Sequence, residues 1–243
     1  MKVMAKPVGA VLRVAEVLLQ RIVSEEYSPG LRLPSEVDLA AEFSCARSTI
    51  REALRYLASL NLVQSRQGSG AVVLDYRREG TLELMAPYFL HGRFDHPLPV
   101  LVSEMLRTRT ALACEAARLA ARYARPESLS AIRKKIEKAH ESRAHPLKHA
   151  LEELNIFRAM TQASAVWPAV WFANAFMEPM REVHALVAEP LAAVQPDWLD
   201  TMNTLMDLIE ARKAEEAVAH LHRYFDRVDR QIEEGLTSLF SAS

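Results

Sequence analysis

Beyond residue 93 the sequence is almost without glycine: six of its 7 glycines come earlier, and only Gly235 follows. A stretch of about 150 residues, rich in Ala and Leu and with a single glycine, argues against a strand-and-turn architecture there and reads as nearly all helix. Cysteine is equally scarce. Cys45 and Cys114 stand far apart in sequence, so no disulfide framework is indicated and a reducing, cytoplasmic setting is expected. No apolar run approaches the roughly 18 residues that span a bilayer. Lys2 and Lys6 are not followed by a clean apolar core and cleavage site, so no signal peptide is read and no membrane partner is expected. A phosphate-binding glycine loop and a nucleophile elbow are both missing, so an enzyme is not expected. Charge excess is missing too. The net charge is -1, and only its distribution is informative. Residues 1–78 carry 11 Lys and Arg against 8 Asp and Glu, and the remainder carries 19 against 23. The front is mildly basic and the rest mildly acidic.

What is present organises itself around residues 47–57. Ile50, Ala53, Leu54 and Leu57 recur at helical spacing and define a packing face. Arg47, Arg51 and Arg55 are each four apart and line another side. Guanidinium groups on one face, beside the small polar Ser48 and Thr49, suit a helix lying in the major groove of DNA. The alternative is an amphipathic helix with solvated charges.

The flanking sequence supports the first reading. Residues 8–23 form a helical stripe that Pro29-Gly30 terminates. Leu31-Arg32-Leu33 reads as a short extended piece. Ser35 is placed as the N-cap of a short helix, with Asp38 as its capping partner. Ser44-Cys45 makes the turn into the Arg-bearing helix, which ends near Asn61. Residues 62–66 and 71–74 read as two strands around a turn at Gln67-Gly68-Ser69-Gly70. The order is helix, turn, recognition helix, hairpin: a winged helix-turn-helix.

The motifs then closely resemble those of GntR-type transcription regulators. Pro29-Gly30, Leu33-Pro34-Ser35-Glu36, Leu39-Ala40, Arg47 with Thr49, Arg51-Glu52-Ala53-Leu54 and Gly68-Ser69-Gly70 fall in the family's order and spacing. The resemblance implies a DNA-binding domain at residues 1–75. Arg47 and Arg51 are expected to fork onto guanine, at about 1–3 kcal/mol of discrimination each. Ser48 and Thr49 are expected on phosphates or a base edge, Arg55 on backbone, and Arg66 with Gly68 in the wing. Glu36 and Glu52 are expected to pair with Arg or sit at helix ends. Two positions depart from the family. Val37 stands where an Arg contacts DNA in relatives, and Ala46 stands where a Ser usually precedes Arg47.

Residues 76–96 read as a linker holding one short helix, at 81–90. Residues 97–243 read as about six helices in an antiparallel bundle: 98–124, one opening at Pro126, 148–163, 167 to about 187, 197–211 and 213–239. This segment resembles the effector-binding and dimerisation domain of the fatty-acid-responsive branch of the same family, through Arg107-Thr108-Arg109, Arg118-Leu119-Ala120-Ala121 and Asn155-Ile156-Phe157-Arg158. The resemblance implies a homodimer reading palindromic double-stranded DNA and responding to a small anionic effector, a fatty acyl-CoA or a carboxylic acid. Arg109, Asn155, Arg158 and Tyr224 are the expected effector contacts, and Phe157, Trp167, Trp171, Phe172 and Met202 the expected apolar pocket. The alternatives are internal salt bridges from the two Arg to Glu115, Glu152 or Glu153, and plain core for the aromatics. No metal or other cofactor is expected. Many such domains bind a metal through one Asp and three His, and Leu154, Arg158, Met202 and Tyr224 occupy those places. His220 and His222 diverge by about 200° on a helix and cannot share an ion. The competing function is a helical sensor or interaction protein whose DNA binding is weak or lost.

Overall fold

The computed structural model describes residues 9–66, 70–93, 98–191 and 195–241, the side chains of 65–66, 98–99, 183–191 and 235–241 excepted. No helix among the described residues is long and apolar enough to cross a membrane. Contacts divide the chain into two compact units, Met1–Arg93 and Phe94–Ser243.

The first unit begins with α1 (Ala10–Val23), α2 (Glu36–Glu42) and α3 (Arg47–Ser59), followed by β1 (Val63–Arg66) and β2 (Gly70–Val73). Its core follows the sequence stripes: Val14, Leu18 and Ile22 of α1 meet Leu39 of α2 and Ile50, Leu54 and Leu57 of α3. Ser35 caps α2 by accepting from the Asp38 amide at 3.2 Å while its hydroxyl donates to the Asp38 carboxylate at 2.6 Å. The turn into α3 rests on Ser44 at φ 48°, and the exit rests on Asn61 at φ 57°. Both sit in the left-handed region that short polar side chains tolerate. Strands β1 and β2 pair antiparallel, Val63 opposite Val73 and Arg66 opposite Gly70. The extended piece before Pro34 has a role that its composition does not announce. Leu33 donates to the Ala71 carbonyl at 2.9 Å, Val73 donates to the Leu31 carbonyl at 2.9 Å, and Arg32 bridges Val72. It lies along the free edge of β2 and pins the hairpin to the helices.

The described part of the expected linker, residues 76–93, is structured and packed. Residues 76–93 form α4 (Tyr76–Glu79), a 3-10 turn (Leu82–Leu84) and α5 (Met85–His91), rather than one helix over 81–90. They fold back on α1. Tyr76 donates its hydroxyl to the Val23 carbonyl at 3.2 Å, and the Arg93 amide donates to that same carbonyl at 2.9 Å.

The second unit consists of α6 (Leu98–Tyr123), α7 (Pro126–Glu141), α8 (Pro146–Ala163), α9 (Trp167–Leu191), α10 (Trp198–Glu210) and α11 (Ala214–Ser241). Pro126 and Pro146 open their helices, where a missing N–H costs nothing. The first and last helices run antiparallel, since Ser103 meets Glu233, Arg109 meets Asp229 and Arg118 meets Glu215. Alanines at 113, 116, 117, 120 and 121 let that pair approach closely, and all five are buried. Arg212 closes the end of α6. Its guanidinium donates to the carbonyls of Ala121 at 3.0 Å and Ala124 at 2.7 Å, groups that have no intrahelical partner.

Candidate nucleic-acid interface and candidate effector cavity

Helix α3 turns its apolar face inward, with Ile50, Ala53 and Leu57 completely buried. A period of 3.6 residues then forces positions 47, 51 and 55 outward. Arg47, Ser48, Arg51 and Arg55 are exposed, and Thr49 is half-buried. Among the described residues Arg47 has no ion-pair or hydrogen-bond partner. The Arg51 Nε donates to Glu36 Oε2 at 2.6 Å, with the two side chains 57% and 37% exposed. Arg55 pairs with Glu52, three residues away. The two glutamates thus do as expected of them. Exposed pairs of this kind contribute about 0–1 kcal/mol and exchange readily for another anion. The start of α3 is open as well: Ala46 offers no side-chain cap, and no acidic residue lies in the first turn.

Val37 is 48% exposed on α2, next in sequence to the Glu36 that holds Arg51. Arg66 is placed by backbone only, at the end of β1 beside Gly70. Gly68 and its neighbours at the hairpin tip lie outside the described residues. Gly70 has φ +77°, a conformation open to glycine and strained for other residues at the tip of a hairpin.

In the second unit, α6, α8 and α9 line a cavity of about 180 Å³ that is partly open to solvent. Arg109 and Arg158 both line it, with Phe157 between their helices. Arg109 is held by Asp229 and lies over the Phe225 ring, its guanidinium carbon 4.0 Å from the centroid. Its Nε is buried without a hydrogen-bond partner. Burial pushes the Asp229 carboxyl above the ordinary range, and the Arg109 charge beside it only partly offsets that. The Arg158 Nε donates to Asn174 Oδ1 at 3.0 Å. Neither Arg takes Glu115, Glu152 or Glu153 as an ion-pair partner.

Several expected pocket residues lie elsewhere. Asn155 lines a separate open groove with Lys148 and Arg181, because one step along α8 from Leu154 turns it by about 100°. Tyr224 packs in the core against Phe225, at 5.2 Å between centroids, and burial holds its phenol well above the ordinary range. Met202 is core, completely buried. Trp167 and Trp171 are neither pocket nor core, being 61% and 67% exposed at the start of α9. Of the expected apolar set, Phe157 and Phe172 line the cavity, joined by Phe176, on which Phe172 stacks at 6.5 Å. Asp229 was not anticipated. Its signal was a carboxylate four residues after Phe225, on the buried side of α11. No group of three His, Cys, Asp or Glu among the described residues is arranged to hold a metal, and the His220 Nε2 is 2.9 Å from the Thr201 carbonyl.

Comparison with known proteins bears on both units. Residues 10–73 match the profile of the bacterial regulatory proteins, gntR family. An uncharacterised HTH-type transcriptional regulator of Mycobacterium tuberculosis is 30% identical over 152 residues, 63% of this chain and 60% of that protein. The fatty acid metabolism regulator protein of Salmonella paratyphi B is 27% identical over 150 residues, 61% of this chain and 60% of that one. The chain spans about half to three-fifths of the length of the curated relatives it matches. Among solved structures, Lar, described as controlling the expression of the Listeria monocytogenes agr system, superposes with a TM-score of 0.60 at 17% identity, over 95% of this chain and 99% of that chain. That likeness speaks for a shared fold, winged helix-turn-helix followed by helices. From the profile match and the motifs on α2 and α3, residues 10–73 belong to the gntR family of bacterial regulatory proteins.

Proposed function

We propose that this protein is a ligand-responsive, DNA-binding transcriptional regulator of metabolic genes that acts as a homodimer on a palindromic operator. The observation that carries the reading is the outward face of α3. It presents three guanidinium groups; among the described residues Arg47 has no partner, and Arg51 and Arg55 are held by exposed carboxylates. On DNA, Arg51 would exchange its carboxylate for guanine O6 and N7, and Arg47 would fork onto a second guanine. Ser48, Thr49 and Arg55 would take phosphates, and Arg66 with Gly68 would follow the groove beside the hairpin. A single short helix makes few base contacts, so specific affinity calls for a second copy in a symmetric half-site. Membership of the gntR family and the likeness to a fatty acid metabolism regulator support this reading.

The cavity between α6, α8 and α9 is the effector site of this proposal, with Arg109 and Arg158 as its anion-binding groups. An effector shifts the DNA-binding equilibrium only by its preference for one arrangement of the chain over another. Selection of bound duplexes from a random pool, followed by gel shift on the enriched sequence, tests the proposal. An enriched inverted repeat, bound by two chains and with salt-sensitive affinity, is the expected result. No enrichment at any salt concentration would leave a helical sensor without DNA binding.

A further inference from the structure

The cavity is specific about charge. Arg158 has only the neutral Asn174 carbonyl as a partner, and no carboxylate among the described residues lies within ion-pair reach of it. Arg109 is held from one side by Asp229, while its buried Nε stays unpaired. The two carboxylates on the wall are engaged elsewhere, Glu115 with Arg118 and Glu153 with the Trp198 indole N–H at 2.8 Å. One further polar side chain lines the space, and the Thr161 hydroxyl is committed to the Phe157 carbonyl at 3.1 Å. The remaining wall is apolar, with Leu112, Leu154, Phe157, Phe172, Phe176 and Met177 among it. A ligand held here therefore finds anion-binding groups at one place and, along its body, a mostly apolar wall whose remaining acceptors are the spare carboxylate lone pairs of Glu115 and Glu153.

Size narrows the class further. The space is about 180 Å³, and a dry apolar cavity of about 150 Å³ holds one benzene. A single ring or a branched chain of similar bulk fills it, with room for one carboxylate. A sugar acid would bury more hydroxyls than the wall has acceptors for, and each one left unpaired weakens it relative to an apolar acid. An acyl-CoA with its acyl chain in the cavity would place an uncharged thioester near the two Arg and leave its phosphates outside, away from both guanidinium groups.

The geometry points to a compact monocarboxylate with an uncharged aryl or branched-alkyl body, unesterified, its carboxylate set against the Arg158 guanidinium in the cavity that Arg109 also lines. This rests on the reading of the cavity as the effector site, and it deepens that reading by naming the ligand class. The carboxylate makes charge-assisted bonds that a neutral group of the same shape cannot.

The test is calorimetric titration of the full chain with 3-phenylpropionate, 3-phenylpropanol, gluconate and octanoyl-CoA, with gel shifts on the selected duplex in parallel. The acid should bind and the other three should be at least about tenfold weaker, the gap expected from one charge-assisted pair. Arg158→Gln should weaken the acid about tenfold with an unchanged melting curve. Ala173→Phe, which fills the cavity from α9, should abolish binding. Equal binding of the alcohol, tighter binding of gluconate or the thioester, indifference to both substitutions, or no binding by any probe overturns the inference. The two readings fail separately. A sugar acid or thioester that releases the duplex sinks the ligand class and keeps the regulator. An aryl acid that binds without touching DNA affinity keeps the ligand class and sinks the regulation.

Discussion

At the scale of single residues, the contrast between Arg51 and Arg109 decides what each can do. Both pair with a carboxylate, but the Arg51–Glu36 pair is in water and the Arg109–Asp229 pair is mostly out of it, with side chains 15% and 17% exposed. The first is exchangeable and the second is fixed. Arg51→Ala is therefore expected to leave the melting temperature within about a degree of the parent and to abolish discrimination between the selected duplex and random DNA in a competition gel shift. Equal loss on both duplexes would mean that Arg51 meets only phosphate. Arg109→Met should behave in the opposite way. It leaves Asp229 ionised and buried without a partner, at a cost of about 3 kcal/mol, and adding Asp229→Leu should restore most of that. The pH dependence follows from the direction of the Asp229 shift. Its carboxyl lies above its ordinary 3.8 in the folded chain, so the folded state binds that proton more tightly. Its contribution is full below that value and is lost as pH rises through the folded one. Removing Arg109 raises the carboxyl further, so the stability gap between parent and Arg109→Met should be widest near neutrality and should close on acidification. A gap that is flat in denaturant melts across that range would rule out the uncompensated carboxylate as its cause. None of this was legible before the fold. The sequence shows Asp229 four residues from Phe225, but only the antiparallel pairing of α6 with α11 brings it to Arg109. Trp167 and Trp171 looked like pocket walls because aromatics usually find cover, and the start of α9 leaves both in solvent.

At the scale of elements, legibility depended on whether a boundary is written in local chemistry. Proline fixes the start of α7, Ser35 fixes that of α2, and Asn61 marks the exit of α3, whereas α8 opens at Pro146, two residues before the expected 148. Two further joints turn on residues without such a signature, Ala165 at φ 54° and Arg212 at φ 62°, a left-handed conformation uncommon outside Gly and Asn and closed at Arg212 by the Lys213 amide on the Leu208 carbonyl. The pairing of residues 31–33 with β2 is non-local, so no spacing rule could reveal it. The candidate interface was legible because it lies on one helix, where a period of 3.6 residues separates an Ile-Leu face from an Arg face. The cavity was legible only in part, because it is assembled from three helices. The ends of α2 and α3 differ in a way that can be measured. Ser35→Ala should cost about 1 kcal/mol in urea melts through loss of its bond to the Asp38 amide. Ala46→Ser, at an N-cap now without a side-chain bond, should stabilise by about 0.5–1 kcal/mol. It also places a hydroxyl beside Arg47, so affinity for random DNA should rise slightly. Destabilisation by Ala46→Ser would mean that the serine rotamer is blocked and that α3 begins differently.

At the scale of the whole molecule, a basic exposed helix in one unit and an arginine-lined cavity in the other matter together only if their occupancies are linked. Linkage has a signature that no single-site measurement gives. If an acid in the cavity weakens the selected duplex by some factor, the duplex must weaken the acid by that same factor, because both describe one coupling free energy. Coupling of about 1–3 kcal/mol, or about 5–150-fold, is the usual range. Calorimetric titration of 3-phenylpropionate into the free chain and into the chain saturated with duplex gives one factor, and gel shifts with and without the acid give the other. The expected outcome is equality within error, with Arg158→Gln needing about tenfold more acid to reach the same effect and Arg51→Ala abolishing the effect of duplex on acid through loss of specific binding. The choice of variants matters, since Arg158 lines the cavity of the second unit and Arg51 stands on the exposed face of α3 in the first. If the acid binds with the same affinity whether or not the duplex is present, the second unit takes its ligand without informing the first, and the regulatory reading falls even though each site works alone.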